Sequence, residues 1–175
     1  VPPALDEIVL RALATDREKR FLHDGDGLRE FLRIWPPAGE PRLAVDGAPP
    51  FVLVVGVVNS LLHHLRERGA AYVPCDLKGG NTEWDEPIAT DAESALDGCD
   101  LVLASGMTVG NGTFEPLLRL AAEAGKPVVL FAQTASSVLP WFIGAGVRAV
   151  SAEPYPFFWL DGGPTTIHHY TERPS

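Results

Sequence analysis

The sequence is short of cysteine and of positive charge, and both shortages restrict what it can do. Its two cysteines, Cys75 and Cys99, form no C-x-x-C pair. That spacing excludes a zinc knuckle and a thioredoxin-type redox motif. Two cysteines also cannot staple 175 residues into a disulfide scaffold. Lysine and arginine number 14 against 23 aspartates and glutamates, for a net charge of −9. A surplus of that sign repels phosphate backbones and anionic headgroups, so nucleic acid and membrane surfaces are not expected partners. No apolar run is long enough to span a bilayer. The opening VPPALDEI has no basic stretch leading into an apolar one, so no signal peptide is expected and the default location is the cytoplasm. The chain starts without methionine, as an excerpt or a processed chain would. A G-x-G-x-x-G fingerprint and a G-x-S-x-G elbow are both missing, which weakens a dinucleotide reading and removes a serine-hydrolase one.

What is present is enough for a folded core: 46% hydrophobic residues against 21% charged. Residues 1–50 differ in texture from the rest. Leu5, Ile8, Val9, Ala12 and Leu13 recur at helical spacing, and Asp26 is placed to cap a second short helix. WPPAGEPRLAVDGAPP (35–50) then reads as a Pro-rich linker, so 1–50 is expected to be a helical arm and linker.

Residues 51–175 alternate strand and helix. FVLVVGVV (51–58) is a Val-rich run of the kind buried on both faces of a sheet. Helix follows over 60–69, strand over 70–76, and a polar loop over 77–87. A short helix over 90–99 has Thr90 and Glu93 at capping-box spacing. Strands over 100–106, 126–134 and 147–153 are separated by helices over 111–125 and 135–146. The aromatic tail, 154–170, is expected to cover or pair with a sheet edge. Such alternation predicts an α/β, Rossmann-like, mostly parallel sheet with helices on both faces.

In such sheets ligands collect beyond the carboxyl ends of the strands. That rule selects Gly56 and Asn59 in the first turn, SGMTVGNGT (105–113) after the third strand, and QTASS (133–137) after the fourth. Ser105, Gly106, Thr108, Asn111, Gly112 and Thr113 would form a cradle of backbone amides and hydroxyls, with Gln133, Thr134 and Ser136 opposite. Helix capping competes for the same groups. Cys75 beside Asp76 at the end of the second strand could take a soft or borderline cation, and they are the metal candidates. Glu83, Asp85 and Glu86 are ordinary loop carboxylates by default. Adjacent His63 and His64 point to different helix faces, and His168 and His169 should alternate across a terminal strand.

Two resemblances add to this. The stretch CDLVLASGMTVGNGTFEPLLRLAAEAGKPVVLFAQTASSVLPWFIGAGVRAVSAEPY is similar to the C-terminal domain of the DUF364 family, over about residues 51–155. It carries the resemblance in Ser105-Gly106, Asn111-Gly112-Thr113, Leu117-Leu118, Ala132-Gln133-Thr134 and Phe142 through Val147. Where the family has a Gly-Pro turn this chain has Ala132-Gln133, and Ser136 replaces a later proline. The resemblance implies a Rossmann-like fold with a site at the strand ends. The family's heavy-metal chelation is itself a proposal, and an upstream domain that walls the site in family members is replaced here by about fifty residues, so a second subunit could complete the crevice. Separately, VPPALDEIVLRALATDREKRF resembles the last helices of the C-lobe of bacterial serine/threonine protein kinases through Pro3, Leu5, Val9, Ala12, Leu13, Asp16, Arg20 and Phe21, within residues 1–32. No Gly-rich loop, H-R-D or D-F-G accompanies it, so no kinase chemistry is expected.

The expectation is a domain that binds a small anionic metabolite or a metal complex, possessing a divalent or transition-metal ion if any cofactor. An enzyme acting on a nucleotide or sugar phosphate is the alternative, with Asp76, Glu83 or Glu153 as acid or base. A non-catalytic interaction module is the third reading.

Overall fold

The structure, a computed structural model, describes residues 50–67, 69–152 and 168–171. The N-terminal arm, the linker, the kinase-like stretch and most of the aromatic tail lie outside these residues. The elements are β1 (Val52–Val55), α1 (Asn59–Glu67), β2 (Tyr72–Cys75), α2 (Ala92–Leu96), β3 (Leu101–Ser105), α3 (Met107–Gly110), α4 (Phe114–Glu123), β4 (Val128–Ala132), β5 (Val147–Ala152) and β6 (His168–Thr171). They form one six-stranded sheet of order β2-β1-β3-β4-β5-β6. The first five strands run parallel, and β6 pairs antiparallel with β5.

Burial explains the continuous apolar runs. Every residue of β1 and β3 is buried. Val52 and Val54 face one layer with Leu62 and Leu65 of α1. Leu53 and Val55 face the other, with Leu96 of α2 and Phe114, Leu117 and Ala121 of α4. Helices therefore cover both faces, and each large side chain sealed there contributes roughly 1.5–3 kcal/mol.

Three local expectations are corrected. The cap of α2 is Asp91, not Thr90: its carboxylate accepts the Glu93 and Ser94 amides. A charged acceptor outcompetes a hydroxyl for exposed N–H groups. The turn 105–113 contains the one-turn helix α3 before α4 starts at Phe114. The helix expected over 135–146 shrinks to a 3₁₀ turn at Leu139–Phe142. Pro140 cannot donate within a helix, and Gly144 and Gly146 take positive φ, so the chain unwinds into β5.

The tail's terminal strand covers the β5 edge. His168 is exposed and His169 half-buried, with Nδ1 3.4 Å from Ser151 Oγ. No helix of the described residues is long and apolar enough to cross a membrane.

Candidate functional site

Strand order places a crevice. From β1 the chain moves outward to β2, then returns to the other side of β1 for β3. Connections diverge at that reversal, leaving a gap beyond the carboxyl ends of β1 and β3. A cavity of about 310 Å³ lies there. Its floor is Val55 and Gly56 at the end of β1 and Cys75 and Asp76 at the end of β2. One wall is Leu77 with the segment Thr90–Glu93 that starts α2. The other is Met107, Thr108 and Asn111 around α3, with Thr113, Pro116, Leu117 and Leu120 of α4 and its cap.

Gly56 makes the floor possible. It sits at φ +86°, and a Cβ there would fall 2.7 Å from the Ser105 Cβ. The tips of β1 and β3 can meet this closely only with glycine at one of them. Its amide donates to the Cys75 carbonyl at 2.9 Å.

The wall carrying Asp91 is pinned from outside. Glu86 in the loop after β2 pairs with Arg66 of α1 and accepts the Tyr72 hydroxyl at 2.6 Å. Arg66 lies 5.0 Å over the Trp84 ring, which also stacks on His63. The loop is thereby clamped to α1, and the Ala89 amide bonds the Pro74 carbonyl at 2.9 Å just before Thr90. Glu86 is thus a structural clamp.

The structure brings Gly56, Cys75, Asp76, Thr108, Asn111 and Thr113 to this cavity. Ser105, Gly106, Gly112, Asn59, Gln133, Thr134 and Ser136 are not among its lining. Asn59 is the exposed first residue of α1. At Gly106 the 105–113 turn packs directly on Thr134 of the 133–137 turn. A Cβ on Gly106 would lie 2.1 Å from the Thr134 carbonyl oxygen.

The expected amide cradle is largely engaged with itself. The Gly106 amide donates to Phe131 O, Asn111 to Met107 O, Gly112 to Val109 O and Thr113 to Thr108 O. Ser105 Oγ accepts the Met107 amide at 3.3 Å, and Thr108 Oγ1 donates to Ser105 O at 2.8 Å. Asn111 Oδ1 accepts both the amide and the hydroxyl of Thr113. These bonds shape the wall more than they offer donors to an anion.

Sequence reasoning missed Thr90, Asp91 and Glu93. A signal was available: in a parallel sheet the helix following a strand begins at the carboxyl end, so the start of α2 had to lie beside the end of β2. The apolar wall of α4 carried no such signal, because Leu117 and Leu120 read equally as core.

Charge and protonation follow from these neighbours. Asp76 accepts the Val57 amide at 3.3 Å and the Lys78 amide at 3.0 Å, one on each carboxylate oxygen. Hydrogen bonds from Ser94 and the Glu93 amide hold the Asp91 carboxyl below its ordinary range. Cys75 is 3% exposed. Burial first, then the Asp91 and Asp76 carboxylates, push its thiol up to about 11. At neutral pH it is a thiol, as an ordinary cysteine also is, and a metal binding there would have to displace its proton. Among the described residues no group of three or more His, Cys, Asp or Glu is placed to hold a metal ion. The described side chains do not by themselves fit a bare heavy-metal ion. Cys99 lies elsewhere, fully buried, with Sγ 3.3 Å from Ala95 O.

No curated protein matches the chain. A DUF364-family protein of unknown function from Desulfitobacterium hafniense shares the fold at TM-score 0.51 and 17% identity, over 84% of this chain and 62% of its own. Another, from Pyrococcus horikoshii, is 22% identical at TM-score 0.49, over 63% of this chain and 44% of its own. The chain thus spans less than two thirds of either structure's length. The family model described as "DUF364: Putative heavy-metal chelation" matches residues 49–152, more than half of the sequence and all of β1 through β5. The chain belongs to the DUF364 family.

Proposed function

We propose that this chain is a small-ligand-binding domain whose ligand occupies the cavity beyond β1, β2 and β3. The observation that carries the reading is the coincidence of a 310 Å³ cavity with the strand-order reversal of a parallel sheet. That volume is at the low end of ligand sites, and that position is where such sheets collect ligands. The lining combines an apolar wall with a few polar groups, the usual division between affinity and orientation.

Heavy-metal chelation, the role in the family description, takes a specific form under this reading. With no group of three or more His, Cys, Asp or Glu placed to hold a metal ion among the described residues, a metal enters as a complex that brings its own donor atoms. The anionic metabolite expected from sequence finds no lysine, arginine or histidine among the described residues of the lining. The same deficiency weighs against a phosphate-ester enzyme, which needs cationic or amide donors where charge develops.

Native mass spectrometry of the chain purified without chelator, followed by a thermal-shift panel of metabolites and metal complexes, tests the reading. A retained or added small molecule that raises Tm, and that Leu120→Trp displaces by filling the cavity, is the expected result. No adduct and no shift across the panel would overturn it.

A further inference from the structure

We propose that the N-terminal arm docks its apolar stripe, Leu5, Ile8, Val9, Ala12 and Leu13, as a helix on the α1-side face of the sheet, over β4 and β5 of the same chain. Handedness creates the need for it. Right-handed crossovers put the connection from β1 outward to β2 on one face, and the connections back through β3, β4 and β5 on the other. The layers agree. Leu61, Leu62 and Leu65 of α1 pack in one, and α2, α4 and the 3₁₀ turn pack in the other. Among the described residues α1 is the only helix that contributes to its layer.

One helix cannot cover that face. A helix is about 10 Å wide and strands lie about 4.8 Å apart, so it covers about two strands. β4 and β5 are the second and third strands from β1 on the side away from β2. Yet Val129 of β4 and Ala149 of β5, both in the α1-side layer, are 2% and 0% exposed in a single chain. Residues of this same chain beyond the described ones therefore supply the cover, and a second copy is not what seals them.

Segments 1–49 and 153–167 are long enough, and the first fits. Its stripe has the i, i+3, i+4, i+7, i+8 spacing of a helix with one face to bury. From Leu5 to Leu13 such a helix is about 13 Å long, the length of about four strand residues. The arm joins the sheet through buried Pro50 on the amino edge, and residues 14–49 leave slack enough to reach β5. Segment 153–167 is instead held at both ends on the carboxyl edge, where Ala152 pairs with His168. A cover from there would be thickest at that edge. Phe131, the α1-side residue of β4 nearest to it, is only half-buried, whereas Val129 further down the strand is sealed. The arm is then part of the folded unit, on the face away from the α2 and α4 walls of the cavity.

NOE spectroscopy of the full chain, methyl-labelled at isoleucine, leucine and valine with protonated aromatic rings, tests this. Val129 methyls should show NOEs to methyls of Ile8, Val9 or Leu13. Val128, which faces the other layer, should show none to the arm. Val9→Lys should abolish the arm NOEs and shift the Val129 methyl resonances. Glu7→Lys, on the opposite side of the stripe, should leave both unchanged. Should Val9→Lys fail to fold, the wild-type NOEs decide. No arm NOEs at Val129, or NOEs to the rings of residues 155–159 in their place, would overturn the proposal. Arm NOEs seen only between differently labelled chains in a mixed sample would also overturn it, because the arm would then seat on a second copy.

Discussion

Alanine at Gly106 is the sharpest test of how the β3 and β4 turns meet. The residue has φ −59° and ψ −14°, ordinary helical values that alanine adopts freely, so any cost is steric rather than conformational. The new Cβ would stand 2.1 Å from Thr134 O, 2.9 Å from Ala132 Cβ and 3.2 Å from the Thr134 carbonyl carbon. Relief requires about 1 Å of movement, given carbon contact distances near 3.5 Å. Neither side yields readily. The Gly106 amide is tied to Phe131 O at 2.9 Å, and Ser105 and Phe131 are partners in the β3–β4 ladder. Across the contact, Ala135 already stands at φ +59° in a turn closed by Ser136 N to Gln133 O. Overpacking of this kind costs about 3 kcal/mol, at the upper end of its usual range. Gly110, four residues on, is the matched control. Its Cβ would meet nothing within 4 Å, and it ends α3 without positive φ. Alanine there should be neutral or stabilise by up to about 1 kcal/mol. Urea unfolding followed by circular dichroism should separate the two variants by about 3–4 kcal/mol, or about 10 °C in Tm. Coincident midpoints for the two would refute the close packing of the turns.

Other expectations follow from the same contacts. The Cys75 thiol is raised from its ordinary 9.0 to about 11, so its contribution to stability is complete below pH 9 and is lost as pH rises towards 11. The loss is about 2–3 kcal/mol, read as a falling urea midpoint that Cys75→Ala makes shallower, the buried Cys99 thiol and Tyr72 phenol, both raised by burial, supplying the rest; a flat profile in the wild type would contradict the assignment. Asp91→Ala should cost about 1 kcal/mol through the lost α2 cap, whereas Asp91→Asn should keep the cap and lower the Cys75 titration point, measured by alkylation rate against pH. Glu86→Gln should destabilise by about 1–2 kcal/mol and speed hydrogen exchange in the 78–88 loop, because it weakens the clamp to Arg66 and Tyr72; unchanged exchange would show that the clamp does not hold the loop. Leu117→Ala should cost about 2–5 kcal/mol, since its side chain is 4% exposed between the sheet and the cavity; a loss below 1 kcal/mol in urea would place it outside the core.

How much could be read from residues alone depended on the kind of interaction. The strands around Val52–Val55, Leu101–Ser105 and Val128–Ala132 were legible because burial on both faces demands unbroken apolar runs, a one-dimensional signal. Gly69 and Gly125 were legible as helix stops because both take positive φ. The 3₁₀ turn at Leu139–Phe142 was not, since ASSVLPWFIG has helical apolar spacing and only Pro140 argues against it. Asp91 was overlooked as the cap because Thr90 satisfied the capping-box pattern one residue earlier; backbone geometry decides between such neighbours.

The site shows the same limit at larger scale. Chemistry-bearing turns after β1, β3 and β4 all lie at the carboxyl edge, and composition alone ranks 105–113 beside 133–137. Strand order is what ranks them otherwise. Because β1 and β3 are neighbours across the reversal, the gap opens towards β2, and Cys75, Asp76 and Asp91 become its walls. Between β3 and β4 no reversal occurs, so consecutive turns close on one another, and Gly106 records how tightly. The polarity of the cavity follows from that change of partner. A pocket between the two hydroxyl-rich turns would have been neutral and rich in donors, whereas one between β2 and α4 inherits the carboxylates of the β2 end and the α2 cap.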